Sequence, residues 1–200
     1  MFSKYDVYTT VQSIYCYPDS DVLKNKLNII DNDELKQAEE EITSLKQYML
    51  MESPIKGRFT KTQLMNIHRF LFEDIYPFAG KIRREQISKG DTMFFPPHLI
   101  NKELDKVFYK LHNDNMLHET VRECQIRHLS YIMSELNIIH PFREGNGRSI
   151  RELIRCMAIH YGFSLDWSLV DRDTMLEAAV RSVVDSMAFI DIIVKCIVEE

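Results

Sequence analysis

Twelve consecutive residues, beginning at His140, concentrate the side chains that could do chemistry: His-Pro-Phe-Arg-Glu-Gly-Asn-Gly-Arg-Ser-Ile-Arg. The imidazole of His140 can accept a proton near neutral pH and so act as a general base. Glu144 adds a carboxylate that could hold a cation. Arg148 and Arg151 add guanidinium groups, whose forked donors bind phosphate oxygens bidentately. A base, a cation ligand and two arginines on one short segment predict phosphate chemistry.

The backbone of the same segment predicts an anion-binding loop. Pro141 ends the preceding helix because proline lacks the amide hydrogen and its ring crowds the previous turn. Gly145 and Gly147 permit backbone conformations that expose successive N–H groups. The helix predicted over 148–161 begins with unpaired amides and the positive end of its dipole. We therefore expect the glycine loop and the beginning of this helix together to form an anion-binding nest suited to a di- or triphosphate.

Glu144 lies beside this nest, where its carboxylate would repel phosphate unless a divalent cation lay between them. Magnesium suits such a site, since it binds through one or two carboxylates plus substrate phosphates. Each feature alone has a simpler explanation. A Gly-x-Gly is usually a turn, a histidine at a helix end is more often structural, and Arg148, Arg151 and Arg155 on one helix face are more often solvated. Their joint occurrence in this order favours the phosphate site.

Apolar residues recur at helical spacing through most of the chain and predict a mainly α-helical domain. The stripe that leads into His140 comprises Ile126, Leu129, Ile132, Met133, Leu136 and Ile139. Further helices are predicted over Asp33–Met49, from Thr60 with a capping box to Gln63, over Ile100–Leu111, from Thr174, and over Phe189–Ile197. No internal repeat or linker interrupts the pattern. We therefore expect residues 1–200 to form one domain, with residues 1–32 as an N-terminal arm packed on the body.

Residues 84–95 differ in character from the helical stretches around them. Two short runs of strand type, Gln86–Ser88 and Thr92–Phe95, flank a turn at residues 89–91 and predict a β-hairpin. A lone hairpin needs a helical body beneath it for stability. Its polar turn and aromatic end suit a flap over a site, and a plain connector fits the pattern equally well.

Composition narrows the class of protein. The 200-residue chain is 45% hydrophobic and 28% charged, and it can bury a core without metal or disulfide support. Its net charge of −5 argues against bulk binding of nucleic acid. Four scattered cysteines without a C-x-x-C pair disfavour a zinc site and suit a reducing compartment. No apolar run is long enough for a signal peptide or a membrane span, so the sequence predicts a cytoplasmic protein without a membrane partner. Secretion as an effector, without a cleaved signal, stays open.

The segment that begins at His140 resembles, at every defining position, the Fic (filamentation induced by cAMP) signature His-Pro-Phe-x-Asp/Glu-Gly-Asn-Gly-Arg-x-x-Arg. Residues 67–72 and 76–83 are similar to the helix and turn that lead into the Fic flap. Tyr17-Pro18 followed by residues 21–27 resembles the beginning of small bacterial "cell filamentation" Fic proteins. The resemblance covers most of the chain and implies a Fic-type helical domain with one β-hairpin flap.

This resemblance implies transfer of AMP from ATP to a Tyr, Thr or Ser hydroxyl of a target protein, with release of pyrophosphate. It makes His140 the base that deprotonates the hydroxyl and Glu144 the ligand of Mg²⁺ on the α- and β-phosphates. Hairpin 84–95 would align the target segment by strand addition, and Phe142 would anchor the loop in the core. The implied nucleotide contacts are the backbone of Gly145, Asn146 and Gly147, and the side chains of Arg148 and Arg151.

Two alternatives to AMP transfer stay open. Another Fic-fold reaction could transfer a phosphoryl, phosphocholine or different nucleotidyl group, although the intact Gly-Asn-Gly pattern counts against phosphoryl transfer. A nucleotide-binding or partner-binding protein without turnover is the alternative from a different class. The presence of both His140 and Glu144 counts against that second alternative.

The resemblance also bears on regulation. Many Fic proteins are inhibited by a helix with the pattern Ser/Thr-x-x-x-Glu-Gly/Asn, whose glutamate pairs with the second arginine of the signature. Glu144 is the one glutamate of this sequence that Gly or Asn follows. The resemblance therefore implies inhibition by a separate, small antitoxin-like protein that binds near Arg151, and small bacterial relatives include toxins.

Overall fold

A computed structural model describes residues 12–90 and 92–198. The first part of the predicted N-terminal arm (residues 1–11), Asp91 in the predicted hairpin turn, and residues 199–200 lie outside the described residues. Within the described ranges the chain forms seven α-helices: α1 Asn32–Glu52, α2 Lys61–Phe72, α3 Pro97–Asn113, α4 Arg122–Ile139, α5 Asn146–His160, α6 Arg172–Arg181 and α7 Ile190–Cys196. Four two-residue strands accompany them: β1 Ser88–Lys89, β2 Thr92–Met93, β3 Ser164–Leu165 and β4 Ile197–Val198. The predicted mainly α-helical class is confirmed.

Helices α4 and α5 form the centre of the domain. Helix α5 packs against α2 and α4, and α4 also packs against α3 and α7. The apolar stripe predicted ahead of His140 is buried along α4, and Leu129, Ile132 and Leu136 have no exposed surface. Because burial of apolar surface is the main force that holds helices together, these contacts fix the end of α4 relative to the beginning of α5. The segment with the predicted chemistry lies between those two ends.

Local sequence accounts for the beginnings of α1 and α2. Asp31 accepts hydrogen bonds from the amides of Asp33 and Glu34 and so caps α1. Thr60 caps α2 as predicted by accepting from the amide of Gln63 at 3.4 Å. The Gln63 side chain accepts from the amide of Phe59 at 2.7 Å, one residue earlier than a standard capping box requires.

Helix α5 begins two residues before the predicted start. Its N-cap is Gly145, with φ +79°, and Asn146 is its first helical residue. The left-handed conformation of Gly145 ends the loop abruptly, so the chain turns directly into the helix. Gly147 therefore lies within the first turn of α5, and the prediction that it provides backbone freedom was wrong.

The predicted hairpin is present with shorter strands than expected. β1 pairs with β2 antiparallel, with Ser88 opposite Met93 and Lys89 opposite Thr92. A second antiparallel pair, β3 with β4, was not predicted, and it joins the end of α5 to the C-terminal segment. Strands of two residues are too short to show an alternating pattern, which explains why the sequence did not reveal them. The last helix is one residue shorter than the predicted Phe189–Ile197 at its C-terminal end: it ends at Cys196, and Ile197 begins β4.

The described part of the N-terminal arm lies against the base of the hairpin. Ser13 Oγ and the amide of Ile14 donate to the Glu85 carboxylate at 2.7 and 2.5 Å. The amide of Arg84 donates to the hydroxyl of Tyr15 at 2.8 Å. The arm therefore supports the hairpin where it leaves the helical body. No described helix combines the length and the apolar character needed to cross a membrane.

Candidate active site

His140 is the C-cap of α4 and has a left-handed backbone, with φ 49° and ψ 63°. Its amide continues the helix by donating to Leu136 O at 3.0 Å, and Pro141 then ends the helix. The Nδ1 atom of His140 lies 3.1 Å from the carbonyl oxygen of Asn137. Because a carbonyl only accepts hydrogen bonds, Nδ1 carries the proton and Nε2 carries the lone pair. The backbone of α4 thus selects the tautomer in which Nε2 can act as a base.

The surroundings of His140 keep its imidazole neutral. Burial, opposed by the hydrogen bond to Asn137 and aided by the positive charges of Arg83 and Lys89, lowers the pKa of His140 to about 3. The ring of Phe94, at the end of the hairpin, stacks on the imidazole with centroids 3.8 Å apart. A neutral imidazole is ready to accept a proton at pH 7. Negative phosphate groups near the ring would raise its pKa and strengthen it as a base.

The loop after His140 is held by buried contacts. Phe142 has no exposed surface and stacks on His68 at 3.8 Å, as expected for an anchor. The Asn146 side chain accepts from the amide of Phe142 and donates to its carbonyl, both at 2.8 Å. A Cβ on Gly145 would lie 2.2 Å from the ring of Phe72. Only glycine fits there, so the loop conformation is set by packing as well as by sequence.

The first turn of α5 presents unpaired amides. The helix has no side-chain cap, and its first backbone hydrogen bond runs from Ser149 N to Gly145 O. The amides of Asn146, Gly147 and Arg148, which come before it, donate to no acceptor among the residues of the described ranges. Unpaired amides at the positive end of a helix dipole favour an anion, as expected for the predicted nest. A Cβ on Gly147 would lie 3.2 Å from Nη1 of Arg151, so this glycine leaves room beside the arginine.

Arg151 lies one turn into α5, next to the nest. Its guanidinium makes no hydrogen bond or ion pair with any residue that the structure describes. Burial, together with the charge of Arg148, lowers the pKa of Arg151 to about 10, which still leaves it charged at pH 7. A partly buried cation without an acidic partner is costly unless an anion binds to it. Arg151 is therefore a candidate to bind a negatively charged ligand.

Arg148 points in a different direction, towards α1. Its Nη2 pairs with Glu39 Oε1 at 2.5 Å, and its Nη1 donates to Thr43 Oγ1 at 3.0 Å. Nη2 is also 3.6 Å from Glu144 Oε1, and the guanidinium lies over the ring of Phe72. Arg148 thus connects α1 to the edge of the nest, while its predicted contact with phosphate stays a prediction.

Arg155 does not reach the site, although it follows Arg148 and Arg151 at helical spacing. It pairs with Glu152 and donates to the carbonyl of Leu50 at 2.7 Å. Its role is to join α5 to the end of α1.

The carboxylate of Glu144 is largely buried and is held by a backbone amide. Its side chain is 17% exposed, and Oε1 accepts from the amide of Gly145 at 3.0 Å. Within 12–90 and 92–198 no group of three or more His, Cys, Asp or Glu side chains could enclose a metal ion. One carboxylate beside an anion nest fits magnesium, which usually binds to few protein ligands and completes its shell with substrate phosphates and water.

Sequence reasoning missed the residues that orient this site. His68 is buried, accepts from the amide of Gly80 and donates from Nε2 to Glu144 O at 2.9 Å. Glu39 and Arg83, which contact Arg148 and His140, were not assigned to the site from the sequence either. Each is a single polar residue far along the chain from its partner, and no local pattern distinguishes it from a solvated residue.

Known relatives match this chain over most of its length. Residues 58–158 match the Fic/DOC family profile. The chain is 33% identical to "Protein adenylyltransferase VbhT" of Bartonella schoenbuchensis over 84% of this chain and 35% of the relative. It is 30% identical to "Probable protein adenylyltransferase Fic" of Escherichia coli K12, over 93% of this chain and 92% of that protein.

Solved structures agree with the fold. The N-terminal Fic domain of a Bep effector from Bartonella sp. AR 15-3 superposes with a TM-score of 0.85 at 23% identity, over 92% of this chain and 90% of that one. BepC of Bartonella tribocorum, solved with bound AMPPNP, superposes with a TM-score of 0.83 at 22% identity, over 93% and 97% of the two chains. The matched profile covers the segment that begins at His140 together with α2, α3 and α4. The chain belongs to the Fic/DOC family.

Proposed function

We propose that this protein transfers AMP from ATP to a Tyr, Thr or Ser hydroxyl of a target protein and releases pyrophosphate. The observation that carries the proposal is the tautomer of His140, which leaves the lone pair on Nε2, in the same short segment as the unpaired amides at the beginning of α5. Relatives that match most of this chain are named protein adenylyltransferases, which supports the same reaction.

In the proposed reaction the hydroxyl oxygen of the target attacks the α-phosphorus of ATP. Nε2 of His140 takes the hydroxyl proton as the new P–O bond forms. The bond between the α-phosphorus and the bridging oxygen breaks, and pyrophosphate leaves with the electron pair. The amides of Asn146, Gly147 and Arg148 lie where negative charge on the phosphates would be stabilised.

The remaining nucleotide contacts follow from charge. Arg151, which has no acidic partner among the described residues, is assigned to the γ-phosphate side of the nest. Arg148 is assigned to the β-phosphate side, where its contact with Glu39 holds the guanidinium in place. Gly145 contributes the sharp turn that exposes the amides.

Glu144 is assigned to Mg²⁺. When bound, the ion would neutralise phosphate charge and polarise the α-phosphate towards attack. Because Glu144 is a single carboxylate ligand, we expect strong Mg²⁺ binding only when nucleotide phosphates are also present.

The hairpin formed by β1 and β2 is assigned to the target. The two strands form a sheet of two among the described residues, so each has an outer edge that could accept a further strand. Met93, which is 73% exposed, would contact the target side chains. Strand addition at this edge would bring the target close to Phe94 and therefore to His140.

Labelled ATP tests the reaction against its alternatives. The purified chain is incubated with Mg²⁺, cell lysate and either α-labelled or γ-labelled ATP. We expect label on protein from the α position only. Label from the γ position alone would indicate phosphoryl transfer instead. If neither label appears on protein although the chain binds ATP, the result would favour a binding protein without turnover.

Control of the site is assigned to a separate small protein that binds near Arg151. A glutamate placed against this guanidinium would occupy the position of the γ-phosphate and block productive binding of ATP. Copurification of a small partner with the pattern Ser/Thr-x-x-x-Glu-Gly/Asn would support this regulation. Strong inhibition of the purified chain, relieved by replacing one of its own glutamates, would contradict it.

A further inference from the structure

Arg83 lies immediately before the hairpin and is only 1% exposed. Its guanidinium donates to a backbone carbonyl at each end of the hairpin. Nη1 is 2.7 Å from Glu85 O, and Nη2 is 2.5 Å from Phe95 O. One rigid, planar group therefore holds both ends of the flap together.

The same guanidinium also binds the end of α4. Nε donates to His140 O at 2.8 Å, and Nη2 is 3.3 Å from Ile139 O. The backbone amide of Arg83 donates to Pro141 O at 2.9 Å. Arg83 thus contacts the peptide groups on both sides of His140, whose left-handed backbone is uncommon for a residue other than glycine.

A second contact joins the flap to the base directly. The ring of Phe94 stacks on the imidazole of His140 with an angle of 14° between the planes. The amide of Phe95 donates to Ile138 O at 3.4 Å, which connects the same end of the flap to the last turn of α4. Movement of the flap relative to His140 would disrupt this stack and the hydrogen bonds of Arg83 together.

We propose that Arg83 is a positioning residue that sets the distance between the flap and the base. A target strand on the flap would then present its hydroxyl to Nε2 of His140 at the spacing that proton transfer requires. This inference rests on the proposed function of the flap and of His140. Displacement of a reacting group by about 1 Å can reduce the rate on the order of 100-fold, so precise spacing has a large effect.

Arg83→Met removes the donors and keeps much of the side-chain length. With lysate and α-labelled ATP, we expect the transfer rate to fall about 100-fold while the KM for ATP changes less than about 2-fold. Arg83→Lys keeps the charge without the planar fork, so its transfer rate should lie between those of the unaltered protein and Arg83→Met. Arg155→Met is the matched control, since it also removes an arginine bonded to a backbone carbonyl, and it should lower the Tm without this loss of rate.

Two further measurements do not depend on activity. In ¹⁵N-histidine NMR spectra, Arg83→Met should raise the pKa of His140 towards its ordinary value because the imidazole gains contact with water and loses a nearby positive charge. Hydrogen exchange at the amide of Phe95 should become at least about 10-fold faster as the flap loosens.

These readouts separate the possible failures. If the unaltered protein transfers no α-label, the proposed function is wrong, while the NMR and exchange data still decide the role of Arg83. If Arg83→Met does not fold, the same measurements on Arg83→Lys decide whether Arg83 positions the flap. Wild-type rate, histidine spectrum and flap exchange in a folded Arg83 variant would overturn the proposal, and so would an equal loss of rate in Arg155→Met.

Discussion

The buried His68 and the half-buried His140 have opposite tautomers, and this difference decides their roles. His140 donates from Nδ1 to Asn137 O and leaves Nε2 available. His68 accepts at Nδ1 from the amide of Gly80 and donates from Nε2 to Glu144 O, so both of its nitrogens are used. Backbone groups select each form because a carbonyl only accepts and an amide only donates. His140 is therefore suited to catalysis and His68 to holding the loop.

His140→Ala should abolish AMP transfer and leave ATP affinity within about 2-fold, because the imidazole handles the hydroxyl proton and does not hold the nucleotide. Loss of a general base typically reduces a rate by about 10²–10⁴-fold. The measurement is α-label incorporation together with titration of AMPPNP. His160→Ala, at the far end of α5, is the control and should retain the wild-type rate. Near-normal transfer by His140→Ala would show that another group is the base.

Gly145→Ala should destabilise the fold for two reasons, a left-handed backbone and a Cβ that would lie 2.2 Å from the ring of Phe72. Gly162→Ala is a matched control, since Gly162 also has positive φ but has open space around its Cβ position. We expect about 1 kcal/mol of lost unfolding free energy for the control, from backbone strain. Gly145→Ala should lose a further 1–3 kcal/mol or so, from overpacking. Equal losses in urea denaturation would contradict the packing explanation.

At the scale of elements, α1, α2 and the hairpin each contact the segment that begins at His140. Glu39 of α1 is fully buried and binds both Arg148 and the hydroxyl of Tyr76. Nearby negative charges, Glu39 first among them, raise the pKa of Arg148 against the opposing effect of burial. The helix farthest from the segment in sequence thus holds the arginine at the edge of the nest.

Glu39→Gln should lower the unfolding free energy by about 3 kcal/mol, because it leaves the buried Arg148 without its main counter-charge. Glu40→Gln, on the exposed face of the same helix, should change it by less than about 0.5 kcal/mol. Urea denaturation of both variants at neutral pH measures the difference. A Glu39 variant as stable as the Glu40 variant would mean that the ion pair contributes nothing to the fold.

At the scale of the whole molecule, burial of neutral histidines connects stability to pH. Burial lowers the pKa of His68 to about 4 and that of His140 to about 3, while the unfolded chain has the ordinary value near 6.5. Between these values the unfolded state binds more protons than the folded state. The stability that the folded protein gains from keeping these histidines neutral is therefore fully present above pH 6.5 and is lost as the pH falls.

Lowering the pH from 7 to 5 should reduce the unfolding free energy by up to about 2 kcal/mol for each of these histidines. Urea denaturation at several pH values measures the slope. His68→Gln, which removes one titrating group, should reduce the slope by about half, whatever its effect on stability at pH 7. An unchanged slope would show that His68 does not remain neutral in the folded protein.

The sequence by itself determined the fold class, the hairpin and the likeness to Fic proteins, because these depend on local information. Helical periodicity, a proline that ends a helix and a contiguous signature can all be read along the chain. Only the tertiary structure decided which atoms face the site: the tautomer of His140, the turning of Arg148 towards Glu39, and the contact of Arg83 with the base. The partners in the last two contacts are 109 and 57 residues apart. They meet because packing of α1 and the hairpin around α4 and α5 brings them together, and no local pattern encodes such contacts.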